Sequence, residues 1–374
     1  MATFTVLGDT VIKGLLLDLA IGEIEYFLHE LEDSLIAYSC RNERQYQPNA
    51  GIVNRPDGQR ILFRPFTSPE TVGAKIIVHP APVAATAGIE SSSEPKTQQP
   101  LHGSMVLCDK FGHPTGLLNA EEVTGYRTSL SAMLPFVNRL RTRNIVVFGA
   151  GKQALWHTRL ALALRGAEIT SITIVNRSEV RARDLIELVK EENKLRWHST
   201  CMFDLLLTSG DEEGSHERLQ SCLAGADVIF CTVASQEPLF SLESLALGKR
   251  QGMFPLITAV GSWQSDMIEV HPAILQHITR SNPSRAILVD DAEAALTHSG
   301  EIVQSGLTMA EMLEIGHILR RKRNFELDSD QAAWLAEGLV VYKSIGVSMT
   351  DLVAGNSILA LAQKNGLGVQ VSGF

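Results

Sequence analysis

The stretch NIVVFGAGKQA, residues 144–154, decides the fold. A β-branched run from Asn144 to Phe148 leads into Gly149-Ala150-Gly151 and then into helix-forming residues, so the glycines stand between a strand and a helix. Gly149, Gly151 and Ala154 complete the pattern G-x-G-x-x-A. Such a turn lets backbone N–H groups approach a pyrophosphate at a helix N-terminus, here with Lys152 and Gln153 in the first turn. A second strand run, SITIVNRS (171–178), follows the helix, which is the context the motif requires. The loop reads as a dinucleotide site.

The end of that second strand selects the cofactor. NAD-selective sites usually carry Asp or Glu there to hold the ribose hydroxyls. This chain has Asn176, Arg177 and Ser178 instead. A neutral Asn does not repel a 2′-phosphate, and Arg and Ser can donate hydrogen bonds to it. NADP(H) is therefore the expected cofactor, with NAD(H) as the alternative.

Outward from this core, DVIFCTVAS (227–235), PLITAVGS (255–262) and AILVDDAE (286–293) are further β-branched-rich runs, with helical segments between most of them. Strands alternating with helices imply a parallel, doubly wound sheet. The acidic SGDEEGSHE (209–217) interrupts the pattern as a solvated loop. Towards the N-terminus, Asp9 or Thr10 can cap a long helix from about Val11 to Ser39. Strand-like runs follow at ILFRPF (61–66), KIIVHP (75–80) and GSMVLCD (103–109), with a polar loop at SSSEPKTQQP (91–100) and a hairpin turn at DKFGHP (109–114). A helix is expected from Val123 through Leu140, and another near Met309–Arg323, ending in the basic cluster Arg320, Arg321, Lys322 and Arg323 that favours a helix C-terminus. The tail gives a strand at Leu339–Tyr342 and a helix from about Thr350 to Asn365, closed by Gly366.

Composition narrows the function classes. Lys plus Arg number 33 against 42 Asp plus Glu, a net charge of −9 without a long basic run, so neither nucleic acid nor an anionic membrane is an expected partner. Hydrophobic residues at 45% and charged residues at 20% exclude overall disorder in 374 residues. Cys40, Cys108, Cys201, Cys222 and Cys231 lie far apart with no C-x-x-C pair, which suits reduced thiols and no metal site. The N-terminus shows no secretory pattern, and no apolar run reaches the roughly 20 residues of a membrane span. A cytoplasmic protein is expected.

Several segments together resemble the ornithine cyclodeaminase/mu-crystallin family: GAKIIVHP (73–80), DKFGHPTGLLNAEEVTGYRTS (109–129), GAGKQA (149–154), VNRS (175–178), TAVGS (258–262), VDDAEAALTHSGEI (289–302) and VYKSIGVSMTDLVAGNSILALA (341–362). The resemblance spans most of the chain. It implies a Rossmann-type nucleotide domain inserted into an α+β substrate and dimerisation domain, here residues 126–324 within 1–125 plus 325–374. It also implies a homodimer that acts on α-amino acids or their imines through a bound nicotinamide.

Hydride transfer to a C=N carbon is fastest when the nitrogen is protonated, so the site needs a carboxylate anchor and a proton-managing group. Lys75 matches the family's site lysine, on a strand where His79 projects to the same face, and desolvation there suits it to proton transfer. Arg127 matches the arginine that contacts the substrate carboxylate, whose fork binds with two parallel hydrogen bonds. Thr128 and Ser104 match positions lining cofactor or substrate, Thr232, Val260 and Ser262 complete the expected cofactor set, and Asp291 is a candidate catalytic group or a structural acid. Two departures stand out. Gln47-Pro48-Asn49 lacks an arginine common in relatives, a charge that Arg64 can supply, and Trp263 stands where cyclodeaminases have an aspartate. The expected activity is an NAD(P)H-dependent ketimine reductase or amino-acid dehydrogenase. The alternatives are an ornithine or lysine cyclodeaminase, or a non-catalytic small-ligand binder of the mu-crystallin type.

Overall fold

The computed structural model describes residues 4–81, 101–208, 214–281 and 286–374. The polar loop 91–100 lies outside the described residues, and of the acidic loop only 214–217 are described, opening a helix at Ser215–Gly225. The chain divides into two compact units. The first comprises Met1–Leu19, Asn42–Thr124 and Ser348–Phe374, and the second Ala20–Arg41 and Gly125–Val347.

The first unit is built on a seven-stranded sheet in the order Val369–Val371, Phe4–Leu7, Pro114–Asn119, His102–Asp109, Thr71–His79, Arg60–Thr67, Gly51–Asn54. Only the Phe4–Leu7/Pro114–Asn119 pair is parallel. Strand alternation sorts its faces. Phe66, Lys75, Met105, Leu107 and Leu118 are buried, and helix Ser348–Lys364 packs on the sheet with Leu352, Ile358 and Leu359 buried. Ile52, Phe63, Ile76, Val106 and Leu117 are exposed.

The second unit holds eight parallel strands in the order Met312–Glu314, Ile287–Val289, Val340–Lys343, Leu256–Ala259, Val228–Cys231, Asn144–Phe148, Ser171–Asn176, Met202–Leu207. Its inner strands are almost wholly apolar and buried, as a sheet covered on both faces requires. From Asn144–Phe148 the chain winds first through Ser171–Asn176 and Met202–Leu207, then returns to Val228–Cys231 on the other side. The reversal between Asn144–Phe148 and Val228–Cys231 creates a crevice at the carboxyl ends of the strands, where doubly wound sheets bind ligands.

Four sequence expectations need correction. The long N-terminal helix is two helices, Asp9–Leu17 and Ile21–Cys40, the first beginning after Gly8 rather than being capped by Asp9 or Thr10. The break at Asp18–Ala20 is fixed by Glu23, whose carboxylate accepts from the Ala20 N–H at 2.9 Å, and the two helices fall in different units. The segment expected as a helix from Met309 is a short 3₁₀ turn, the edge strand Met312–Glu314 and then helix Ile315–Arg323. The helix expected through Leu140 spans Ala120–Phe136, with Pro135 in its last turn. The strand near Leu339–Tyr342 is Val340–Lys343 and lies inside the parallel sheet, so the second unit runs on to Val347 instead of ending at 324.

Candidate active site

At the end of strand Asn144–Phe148 the Gly149 N–H donates to Val175 O at 2.9 Å, and Gly149 takes φ +112. A β-carbon there would meet Thr232 Oγ1 at 2.7 Å and Val233 Cγ2 at 3.1 Å, so both backbone and space demand glycine. Gly151 is the N-cap of helix Lys152–Arg165, and a β-carbon on it would point into open space. The helix start carries no acidic residue in its first turn and no side-chain cap at Gly151, so no carboxylate offsets the positive end of its dipole there. Lys152 and Gln153 are half-buried beside it, and Ala154 is sealed against the sheet. These residues fit a dinucleotide pyrophosphate.

One strand over, Asn176 Nδ2 donates to Ser178 O at 2.8 Å, and Ser178 caps helix Glu179–Leu195 by accepting from the Arg181 N–H. Arg177 is exposed. On the other side of the crevice, Thr232 donates from its hydroxyl to Phe148 O at 2.6 Å, and the Val260 N–H bonds Cys231 O at 3.1 Å. Ser262 was expected to contact the cofactor, but its side chain is fully buried and engaged by Lys343 and Glu301. It supports the loop from beneath.

In the first unit, Lys75 is 1% exposed. Its Nζ lies 2.7 Å from Asp351 Oδ2 and 3.4 Å from Thr124 Oγ1. Asp351 sits in the first turn of helix Ser348–Lys364, where a carboxylate suits the dipole. Arg64, opposite Lys75 in the strand register, reaches to 3.9 Å from the same carboxylate. Two cations thus converge on one acid. His79, on the same face as Lys75, is held below its ordinary range by burial and by the charge of Arg60. Gln47, standing near the family's missing arginine, bonds both the N–H and the C=O of Thr67 and accepts from the Ser348 hydroxyl, so it is structural.

Two candidates are not assembled as expected. Ser104 pairs with Ile76 and lies on the exposed face, one residue out of step with Lys75 and Met105, so it is not with Lys75. Asp291 is the N-cap of helix Ala292–His298, accepting from the Ala294 N–H, and takes a short hydrogen bond from Tyr38. Its carboxylate is occupied by structure. Asp266 is exposed on the loop after the half-buried Trp263. Arg127 and Thr128 are buried in helix Ala120–Phe136 within the second unit. Asp351 went unassigned in the sequence, because an acid three residues into a helix reads as a dipole partner and nothing local points to Lys75.

A model for shikimate/quinate 5-dehydrogenase matches residues 133–258, the segment that begins the parallel sheet. The Bacillus cereus delta(1)-pyrroline-2-carboxylate reductase is 25% identical over 280 residues, covering 72% of this chain and 74% of that protein. The ketimine reductase mu-crystallin of Macropus fuliginosus is 22% identical, covering 71% of each. These relatives, similar over most of the chain, support an assignment to the ornithine cyclodeaminase/mu-crystallin family. The fold is shared with the solved Thermococcus litoralis delta(1)-pyrroline-2-carboxylate reductase, in complex with NADH and L-proline, which superposes with a TM-score of 0.71 at 16% identity, covering 98% of this chain and all of that one.

Proposed function

We propose that this chain is an NADP(H)-preferring reductase of imines formed from α-keto acids, or an amino-acid dehydrogenase running the same step in reverse. The observation that carries the reading is the sealed Lys75–Asp351 pair in a protein that also holds a complete dinucleotide turn at Gly149. The bound nicotinamide supplies the hydride. The chain's own residues do the rest. Arg127 holds the substrate carboxylate with its guanidinium fork. The Lys75 ammonium protonates the imine nitrogen, or takes its proton back in the oxidative direction, while Asp351 keeps the lysine charged and aimed. Arg64 adds a second positive charge beside it, and Trp263 favours substrates with flat or apolar side chains.

The preference for NADPH rests on Asn176 and Arg177, since no carboxylate stands at the strand end to repel a 2′-phosphate. The chain acts as a homodimer, and the exposed apolar residues Ile52, Phe63, Ile76, Val106 and Leu117 of the first unit offer a surface for it. Free thiols at all five cysteines suit a reducing cytoplasm. The deciding experiment is NADPH consumption over a panel of cyclic and acyclic imines made from several keto acids and amines. Turnover of none of them, under conditions where NADPH binds, would leave a ligand-binding role instead.

A further inference from the structure

Beneath the crevice of the second unit lies a cluster of three buried charges: Lys343 at the end of its strand, Glu269, and Glu301 in helix Gly300–Ser305. Lys343 Nζ donates to Ser262 O and to Ser262 Oγ, both at 2.5 Å, and lies 3.8 Å from Glu269 and 3.6 Å from Glu301. Glu269 accepts three backbone N–H groups from two different loops: Val233 at 2.8 Å, Gly261 at 2.7 Å and Ser262 at 3.0 Å. Glu301 accepts from the Ser262 hydroxyl, from the Glu269 N–H at 2.9 Å and from Ser299 Oγ at 2.8 Å. A cluster this dry persists only when every member is paired, and here every member is.

The two loops that Glu269 ties together are also packed tightly. A β-carbon on Gly261 would lie 2.5 Å from the backbone of Val233, and one on Gly149 would strike Thr232 and Val233. The dinucleotide turn, the loop after Val228–Cys231 and the loop after Leu256–Ala259 therefore form one contact chain, anchored by Glu269. Resting on the nicotinamide reading above, we propose that Lys343, Glu269 and Glu301 form a clamp that positions the 232–233 and 260–262 loops, and so sets the affinity for the nicotinamide half of the cofactor. They are positioning residues and touch no reacting atom.

Protonation gives the clamp a signature. Burial, opposed by Lys343 and reinforced by Glu301, pushes Glu269 up to about 7, and the Cys231 thiol also faces the cluster. A protonated Glu269 must donate from one oxygen, which conflicts with an N–H it now accepts. Cofactor affinity then falls as the pH drops through neutrality.

The test compares two ligands by calorimetric titration. NADPH carries the nicotinamide, whereas 2′,5′-ADP ends before it. Glu269→Gln and Lys343→Met should weaken NADPH by about tenfold or more, the scale of one charge-assisted hydrogen bond, and leave 2′,5′-ADP within about twofold. Lys343→Arg should restore part of the loss, and Glu269→Gln should flatten the pH dependence of NADPH binding near 7. Should Lys343→Met prove too unstable, the milder Glu301→Gln carries the same comparison. Equal losses for both ligands, or none for NADPH, would overturn the clamp. Failure of the wild-type protein to bind NADPH or NADH at all would instead overturn the nicotinamide reading.

Discussion

Lys75 Nζ lies 2.7 Å from Asp351 Oδ2, and both side chains are all but sealed from solvent, at 1% and 0% exposure. A buried ion pair gains little over a well-packed apolar pair, but losing one partner strands the other charge. A pair so sealed from solvent is weak evidence for stability and better evidence for a task.

Asp351→Asn should therefore lower stability by about 3–5 kcal/mol. It should also cut kcat for imine reduction by about 100-fold, the scale of a lost proton-transfer group, while NADPH still binds. Combining Lys75→Met with Asp351→Leu should recover most of the stability and none of the activity. Thermal melts and steady-state kinetics on the three proteins check this. A double variant that regains turnover would remove the pair from the mechanism.

Arg177→Ala should raise the KM for NADPH by about 10- to 100-fold, since a hydrogen bond to a charged group is worth ~1.5–3 kcal/mol. NADH should be affected little. Equal losses with both cofactors would make Arg177 a structural residue.

Gly149→Ala places a β-carbon at φ +112 and 2.7 Å from Thr232 Oγ1. The backbone strain alone costs at least ~1 kcal/mol, and the turn must open to relieve the clash. Loss of NADPH binding, seen by fluorescence titration, is the expected result, with melting lowered only modestly.

The dinucleotide turn was legible because its meaning is local: a strand, glycines at fixed spacing and a helix start. The strands Arg60–Thr67, Thr71–His79 and His102–Asp109 of the first unit were legible for the same reason, through their β-branched runs and the turn at 109–114, whereas the short strands Phe4–Leu7, Gly51–Asn54 and Val369–Val371 at or near the sheet edges were not. What escaped is non-local. Val340–Lys343 reads as an apolar strand wherever it pairs, and nothing within those residues places it between Leu256–Ala259 and Ile287–Val289. Ser104 and Lys75 looked alike as strand residues, yet the register puts them on opposite faces. Asp351 and Glu269 matter through partners far away in the chain, which spacing alone cannot pair.

His157 gives a pH prediction. Its ring is fully buried, with Nδ1 2.8 Å from both Gln153 O and Ser129 Oγ, and burial lowers it to about 4. The unfolded chain takes up this proton near pH 6.5 and the folded one does not. Stability is therefore complete above about 6.5 and falls steadily as the pH drops towards 4, by roughly 3 kcal/mol from this residue. Denaturant titrations at pH 7 and 4.5 should show that difference shrinking in His157→Gln. An unchanged difference would assign the acid sensitivity elsewhere.

The last prediction is that the protein does not cyclise ornithine efficiently. Cyclodeamination needs oxidation to an imine, attack by the side-chain amine, loss of ammonia and re-reduction within one site. The terminal amine is an ammonium at neutral pH, with an ordinary pKa of about 10.4, and must lose a proton before it attacks. The resemblance places an aspartate for this purpose where Trp263 stands, and an indole N–H only donates. Asp266, the nearest acid along that loop, is exposed and three residues away, at a turn closed by the Met267 N–H to Gln264 O bond. Incubation with ornithine and NADP or NAD should yield little proline or ammonia, while imine reduction proceeds. Trp263→Asp should then raise proline formation above the wild-type level, because it restores an acceptor at that position. Robust proline formation by the unmodified protein, abolished in Asp266→Asn, would overturn the prediction and make Asp266 the base.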